Sequence, residues 1–220
     1  LSKPCLQPTM HKESQLSDPK SGSENSKGDA LPEPGKKTGE RKLRGNKRRV
    51  RSYIGLGSNE GDRLGYVQQA LQLLKDVKGI NVLETSSLYE AEPIGDVYTN
   101  WFVNAVVCID TELSPFELLD VLKDIENRLY ALHNKESGKV KERVIDLDIL
   151  FYGQEVLDSV DLKIPHPRLL QRAFALVPLL EIAPDIRYPG LLKSVAEIHE
   201  ELPEPEQVYL FGTRECDERD

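Results

Sequence analysis

No apolar run in this 220-residue chain is long enough to cross a bilayer; the longest candidate, from Ala173 to Ala183, is interrupted by Pro178 and Glu181. Cysteine is scarce, and Cys5, Cys108 and Cys216 are odd in number and far apart, which excludes a disulfide framework and a zinc knuckle. A reducing, cytoplasmic setting is expected, or an organelle if the N-terminal segment is a targeting remnant. Cys108 lies between Val107 and Ile109 in a strand-like run and reads as a small buried hydrophobe. The chain also lacks any Gly-Lys-Ser/Thr sequence, so it has no P-loop. Gly55-Leu56-Gly57 begins like a dinucleotide fingerprint, but Glu60 stands where the third glycine belongs.

What is present divides into two materials. Residues 1–51 hold 13 Lys and Arg against 6 Asp and Glu, whereas the rest holds 16 against 31. Residues 1–50 are rich in Ser, Lys, Gly, Pro and Glu without apolar periodicity, and are expected to be a disordered basic tail or linker. Glu40 interrupts the basic stretch from Lys36 to Arg51 and no amphipathic pattern accompanies it, so a solvated segment is expected there rather than a nucleic-acid patch. Residues 51–200 read as one domain and 201–220 as a loose acidic tail.

Within the domain, Ser52 to Ile54 predict a strand that runs into a glycine-bearing loop. Leu64, Val67, Leu71, Leu74 and Val77 then follow at helical spacing. Ile80 to Glu90 predict a second strand and Trp101 to Asp110 a third. Ser114-Pro115-Phe116-Glu117 is a capping box with proline at the first helical position, opening a helix that buries Leu118, Val121, Leu122, Ile125 and Leu129. A polar connection from His133 to Glu142 leads to a fourth strand, and a last helix is expected near Leu191 to Glu200. The order is β-α-β-β-α-β, which predicts an α+β, ferredoxin-like fold: an antiparallel sheet with helices on one face and C-terminal additions.

The fourth strand carries the chemistry. Asp146 and Asp148 share one face of an apolar run, with Ile145, Leu147 and Ile149 on the other. Two like charges so placed repel and lose hydration unless a cation lies between them. Few, oxygen-only ligands suit Mg2+, which draws its remaining ligands from water and substrate phosphates.

Four segments stand out in series: Tyr53 to Asn59; Pro93-Ile94-Gly95 with Phe102 to Ala105; Arg143 to Gly153; and Ile164 to Pro167 with Arg172-Ala173-Phe174 and Pro178 to Pro184. Together they resemble the 6-hydroxymethyl-7,8-dihydropterin pyrophosphokinase family of folate biosynthesis. The resemblance implies transfer of pyrophosphate from ATP to the pterin hydroxymethyl group with release of AMP. It implies Asp146 and Asp148 as ligands of two Mg2+ ions, and Arg143 and Arg172 as catalytic residues that also bind ATP. Glu126 and His166 join them on the ATP side, and Ala91, Ile94, Phe102, Asn104 and Phe174 on the pterin side. ATP and the pterin are the implied partners; fusion to, or association with, other folate-pathway enzymes stays open. Arg168 and Arg187 lack a matching position and read as surface residues.

The chain departs from the family's pattern in one region. Tyr130-Ala131-Leu132-His133 replaces an arginine-bearing segment, and Val140-Lys141-Glu142 replaces Trp-Gly-Pro. Lys135, Lys139 and Lys141 are then the expected source of positive charge, as ammonium groups rather than guanidinium forks. A catalytically impaired nucleotide- and pterin-binding module is the alternative this leaves.

Overall fold

A computed structural model of the chain describes residues 48–94, 100–137, 144–191, 193–203 and 205–212. The segment expected to be disordered lies outside these, apart from its last three residues. Strand β1 (Val50–Ser58) begins within them, and Arg49 pairs with Glu112 at 3.2 Å.

β1 is followed by helix α1 (Arg63–Lys75), β2 (Ile80–Thr85), β3 (Leu88–Ala91), β4 (Phe102–Thr111), α2 (Pro115–Ser137) and β5 (Asp146–Tyr152). The antiparallel sheet runs β5-β1-β4-β3, and β2 also pairs with β4. This is the predicted α+β core, with one strand divided. The run Ile80 to Glu90 breaks at Ser86 and Ser87, where Ser86 Oγ accepts the Val106 amide at 2.9 Å. Glu181 accepts both the Ser87 amide (2.8 Å) and its hydroxyl (2.9 Å). No Gly or Pro marks the break, whose residues are Glu84-Thr85-Ser86-Ser87, which is why the sequence reads as one strand.

The predicted capping box opens α2: Ser114 N donates to Glu117 Oε2 at 2.7 Å, and Glu117 N to Ser114 Oγ at 3.4 Å. The helix does not end at His133 as expected but continues to Ser137. His133 is buried there and bonds the Tyr66 hydroxyl at 2.8 Å, an interaction that no helical pattern announces.

Helices cover both faces of the sheet rather than one. On the first face α1 and α2 pack Val67, Leu74, Leu118, Leu122 and Leu129 against Ile54, Leu56, Val107 and Leu147. On the second, α3 (Ala173–Ile182) and α4 (Val195–Glu200) bring Leu176, Leu179 and Ile198 onto Val106, Leu150 and Phe151. The sequence reading missed α3, whose residues are apolar nearly all round and include Pro178. Short strands β6 (Leu157–Asp158) and β7 (Lys163–Ile164) form a separate pair before it. The acidic tail is not loose throughout, because β8 (Val208–Gly212) pairs with β3 and extends the sheet.

Two local features shape the second face. The register of β1 with β5 shifts between Tyr53 and Ile54, so Leu150 is an extra residue and alternation inverts after it. Leu150 and Phe151 therefore both face α3. The glycines of the expected loop lie inside β1 instead, with Gly55 opposite Asp148 and Gly57 opposite Asp146.

Candidate active site

A cleft of about 440 Å³ opens on the second face of the sheet. Its floor is Gly55 and Gly57, and their lack of side chains is what leaves it open. A Cβ on Gly57 would stand 3.0 Å from Asn104 Oδ1, and one on Gly55 3.3 Å from the Leu150 side chain. Directly paired residues share a face, so Asp146, Gly57 and Asn104 form one row across β5, β1 and β4. Two strand spacings separate its ends, roughly 10 Å.

At the β5 end, Asp146 and Asp148 both line the cleft. They are less buried than an apolar strand suggests, the Asp148 side chain being 44% exposed. Its ion-pair partner among the described residues is His166, with Nε2 at 3.9 Å from Oδ2. His166 is fixed by its amide, which donates to Leu150 O at 3.0 Å. The Arg168 amide donates to His166 Nδ1 at 3.3 Å, so a neutral ring carries its proton on Nε2, toward the cleft. Burial pushes the imidazole below its usual value; Asp148 opposes this, and the Arg172 and Arg168 charges reinforce it.

Arg172 lines the same wall and its guanidinium lies over the Phe174 ring, 5.2 Å from the centroid. Burial and the nearby Arg168 charge lower its affinity for the proton, while Asp148, Glu206 and Asp146 favour the charged form. The opposite end is lined by Ala91, Ile94, Phe102, Asn104 and Phe174. Asn104 is buried at the edge of the cleft floor, where its amide nitrogen reaches Phe102 O at 3.5 Å.

Nine of the eleven expected residues thus line one cavity. Glu126 does not. It is buried behind β5, accepting the Leu147 amide on Oε1 at 2.7 Å and Lys123 Nζ on Oε2 at 2.8 Å. Arg143 lies outside the described residues, as do Lys139 and Lys141; Lys135 is exposed on the last turn of α2. Two cations are additional, Lys123 and Arg168. Arg168, expected to be a surface residue, is exposed and borders the cleft at its rim. Lys123 stands one helical turn before Glu126, a spacing that offered a signal once Glu126 was singled out.

The donor set fits a hard cation. Two carboxylates on adjacent same-face positions supply oxygen ligands, and among the described residues no group of three or more His, Cys, Asp or Glu forms a closed cage. A cation here would draw its other ligands from water and an anionic substrate. No helix of the described residues is long and apolar enough to cross a membrane.

The chain is 40% identical over 174 residues to the folic acid synthesis protein fol1 of Pneumocystis carinii, matching 75% of this chain and 22% of that protein. It is 43% identical over 137 residues to the 2-amino-4-hydroxy-6-hydroxymethyldihydropteridine pyrophosphokinase of Methylorubrum extorquens, covering 62% of this chain and 85% of that one. The enzyme of the same name from Bacillus subtilis is 42% identical over 135 residues, covering 61% and 79%. Among solved structures, the wild-type HPPK-DHPS of Plasmodium falciparum shares the fold, with a TM-score of 0.55 at 16% identity, over 72% of this chain and 42% of that chain. The chain therefore spans most of the bacterial relatives but about a fifth of the fungal one. The 7,8-dihydro-6-hydroxymethylpterin-pyrophosphokinase family model matches residues 53–184, a stretch that begins in β1, takes in every residue of the cleft floor and both carboxylates, and ends just after α3, so the chain belongs to that family.

Proposed function

We propose that this chain transfers the pyrophosphoryl group of ATP to the hydroxymethyl group of 6-hydroxymethyl-7,8-dihydropterin, releasing AMP, as a step of folate biosynthesis. The observation that carries this reading is the row Asp146, Gly57, Asn104: a carboxylate end and an amide-and-aromatic end of one cleft, with a floor of glycine between them.

A reduced pterin is flat and has an amide-like edge, which suits a side-chain amide beside aromatic rings. Asn104 presents the amide, and Phe102 and Phe174 the rings. Asp146 and Asp148 would hold two Mg2+ ions, whose chemistry is to neutralise the triphosphate and lower the cost of bringing an oxygen nucleophile to it. The pterin hydroxyl oxygen attacks the β-phosphorus in line. A bond forms there as the bond from that phosphorus to the α-bridging oxygen breaks, AMP leaves carrying that oxygen, and the hydroxyl proton passes to solvent. His166, neutral and donating from Nε2, hydrogen-bonds a phosphate oxygen. Arg172 supplies a planar fork to the transferring group while its stacking on Phe174 couples it to the pterin. Lys123 and Arg168 add charge at the rim.

The test is AMP formation from ATP and Mg2+ with and without added 6-hydroxymethyl-7,8-dihydropterin. AMP that depends on the pterin is expected. Tight binding of both ligands without AMP would instead identify an impaired binding module.

A further inference from the structure

Arg172 occupies the N-cap of α3, with extended backbone (φ −130°, ψ 98°) and no side-chain hydrogen bond to the helix. Ser, Thr, Asp or Asn ordinarily fills that position because a short side-chain oxygen can accept an orphan amide. An arginine cannot, and here its side chain is committed to the cleft wall and the Phe174 ring. The Ala175 and Leu176 amides reach Arg172 O at 3.2 and 3.1 Å, which leaves the Phe174 amide to be satisfied from elsewhere.

Its acceptor comes from 32 residues further on. Phe174 N donates to Glu206 Oε1 at 2.7 Å, a short, charge-assisted bond at the positive end of the helix. The next residue ties the same segment to the facing wall. Gln207 N donates to Glu92 Oε1 at 2.9 Å, Glu92 N donates to Gln207 O at 3.2 Å, and β8 then pairs Val208 with Ala91. Glu92 and Ala91 line the cleft. The segment Glu206 to Val208 thus bridges two walls of the proposed pterin end, and it lies beyond the residues matched by the family model.

We infer that Glu206 is a positioning residue for the pterin, supplying in place of Arg172 the helix cap that fixes Phe174 and leaves the arginine side chain for the substrates. The inference rests on the activity proposed above. The carboxylate acts through the Phe174 backbone, so its contribution requires an acceptor at this point more than a negative charge.

Glu206→Ala and Glu206→Gln in the full chain separate these roles. Glu206→Ala should raise the KM for the pterin about fivefold, the loss of one such bond, with the KM for ATP within about twofold of the parent. Glu206→Gln, which keeps an acceptor, should stay near the parent. Hydrogen exchange at the Phe174 amide should quicken in the alanine variant and not in the glutamine variant. Equal behaviour of the two variants, an unchanged pterin KM in Glu206→Ala, or equal losses for pterin and ATP would overturn the inference. A parent that forms no AMP with the pterin would overturn the activity itself and this role with it, whereas an active parent with indistinguishable variants would overturn the role alone.

Discussion

Leu147 donates its backbone amide to Glu126 Oε1 at 2.7 Å, and Leu147 is the residue between Asp146 and Asp148. β5 is the outer strand on its side of the sheet, so an amide on its free edge has no neighbouring strand to bond. A buried carboxylate from α2 takes that place, and the spacing of the two cleft carboxylates is thereby tied to the helix behind them.

Glu126→Ala should consequently do two things. An unsatisfied amide at Leu147 should cost about 1–3 kcal/mol of stability, read by chemical denaturation. The Mg2+ concentration needed for half-maximal turnover should rise, because the strand carrying both aspartates loses its brace. Glu126→Gln, which retains an acceptor, should recover most of both losses.

Gly57→Ala tests the cleft floor. Its Cβ would meet Asn104 Oδ1 at 3.0 Å, so the amide must turn or shift. Weaker pterin binding is expected, by roughly tenfold for about 1.4 kcal/mol of lost interaction, with thermal stability close to the parent. Unchanged pterin affinity by titration would show that Asn104 does not contact it.

Phe151 packs on the same face of the sheet as the site. It is 1% exposed and makes edge contacts with Tyr53 and Tyr188, at 6.4 and 5.8 Å between centroids. Phe151→Ala should destabilise the fold by about 3–5 kcal/mol. Its loss should loosen α3, with faster amide exchange through Ala175 to Leu179 than in α1.

Alkaline pH probes the second face as well. Burial, then a hydrogen bond and charge from Glu181, push the Tyr89 phenol up from 10.0 to about 12. Burial and the neighbouring Cys108 raise Tyr53 to about 12. The folded state therefore favours the neutral phenols. Their contribution is fully present below pH 10 and is lost as pH rises through about 12. Unfolding free energy should fall across that window, and Tyr53→Phe or Tyr89→Phe should flatten the slope.

Much of this molecule is legible in its sequence where a local period or cap fixes the answer. The capping box follows from Ser114 and Glu117 at their fixed offset, and the apolar stripe through Leu118 and Leu129 and the same-face placement of Asp146 and Asp148 from repeats of 3.6 and 2.0 residues. What escaped depends on partners distant in sequence. The inversion at Leu150 arises from pairing with Tyr53 and Ile54, and the division at Ser86 and Ser87 from Val106 and Glu181 respectively. Gly55 and Gly57 look like a loop until the cleft above them explains why a strand should lack side chains. Glu126 is expected on the ATP side by resemblance, whereas its place behind the strand, outside the cleft, depends on the packing of α2. Glu206 carried no local signal, because its partner is a backbone amide 32 residues earlier.

The most direct measurement follows the phosphorus. ATP labelled at the β-position is incubated with Mg2+, the chain and 6-hydroxymethyl-7,8-dihydropterin, and the products are separated. The predicted result is label on the pterin, unlabelled AMP in equal amount, and loss of both in Asp146→Ala and Asp148→Ala variants that keep the parent's circular dichroism. Label retained on a nucleotide, ADP in place of AMP, or near-parent turnover by either aspartate variant would contradict it.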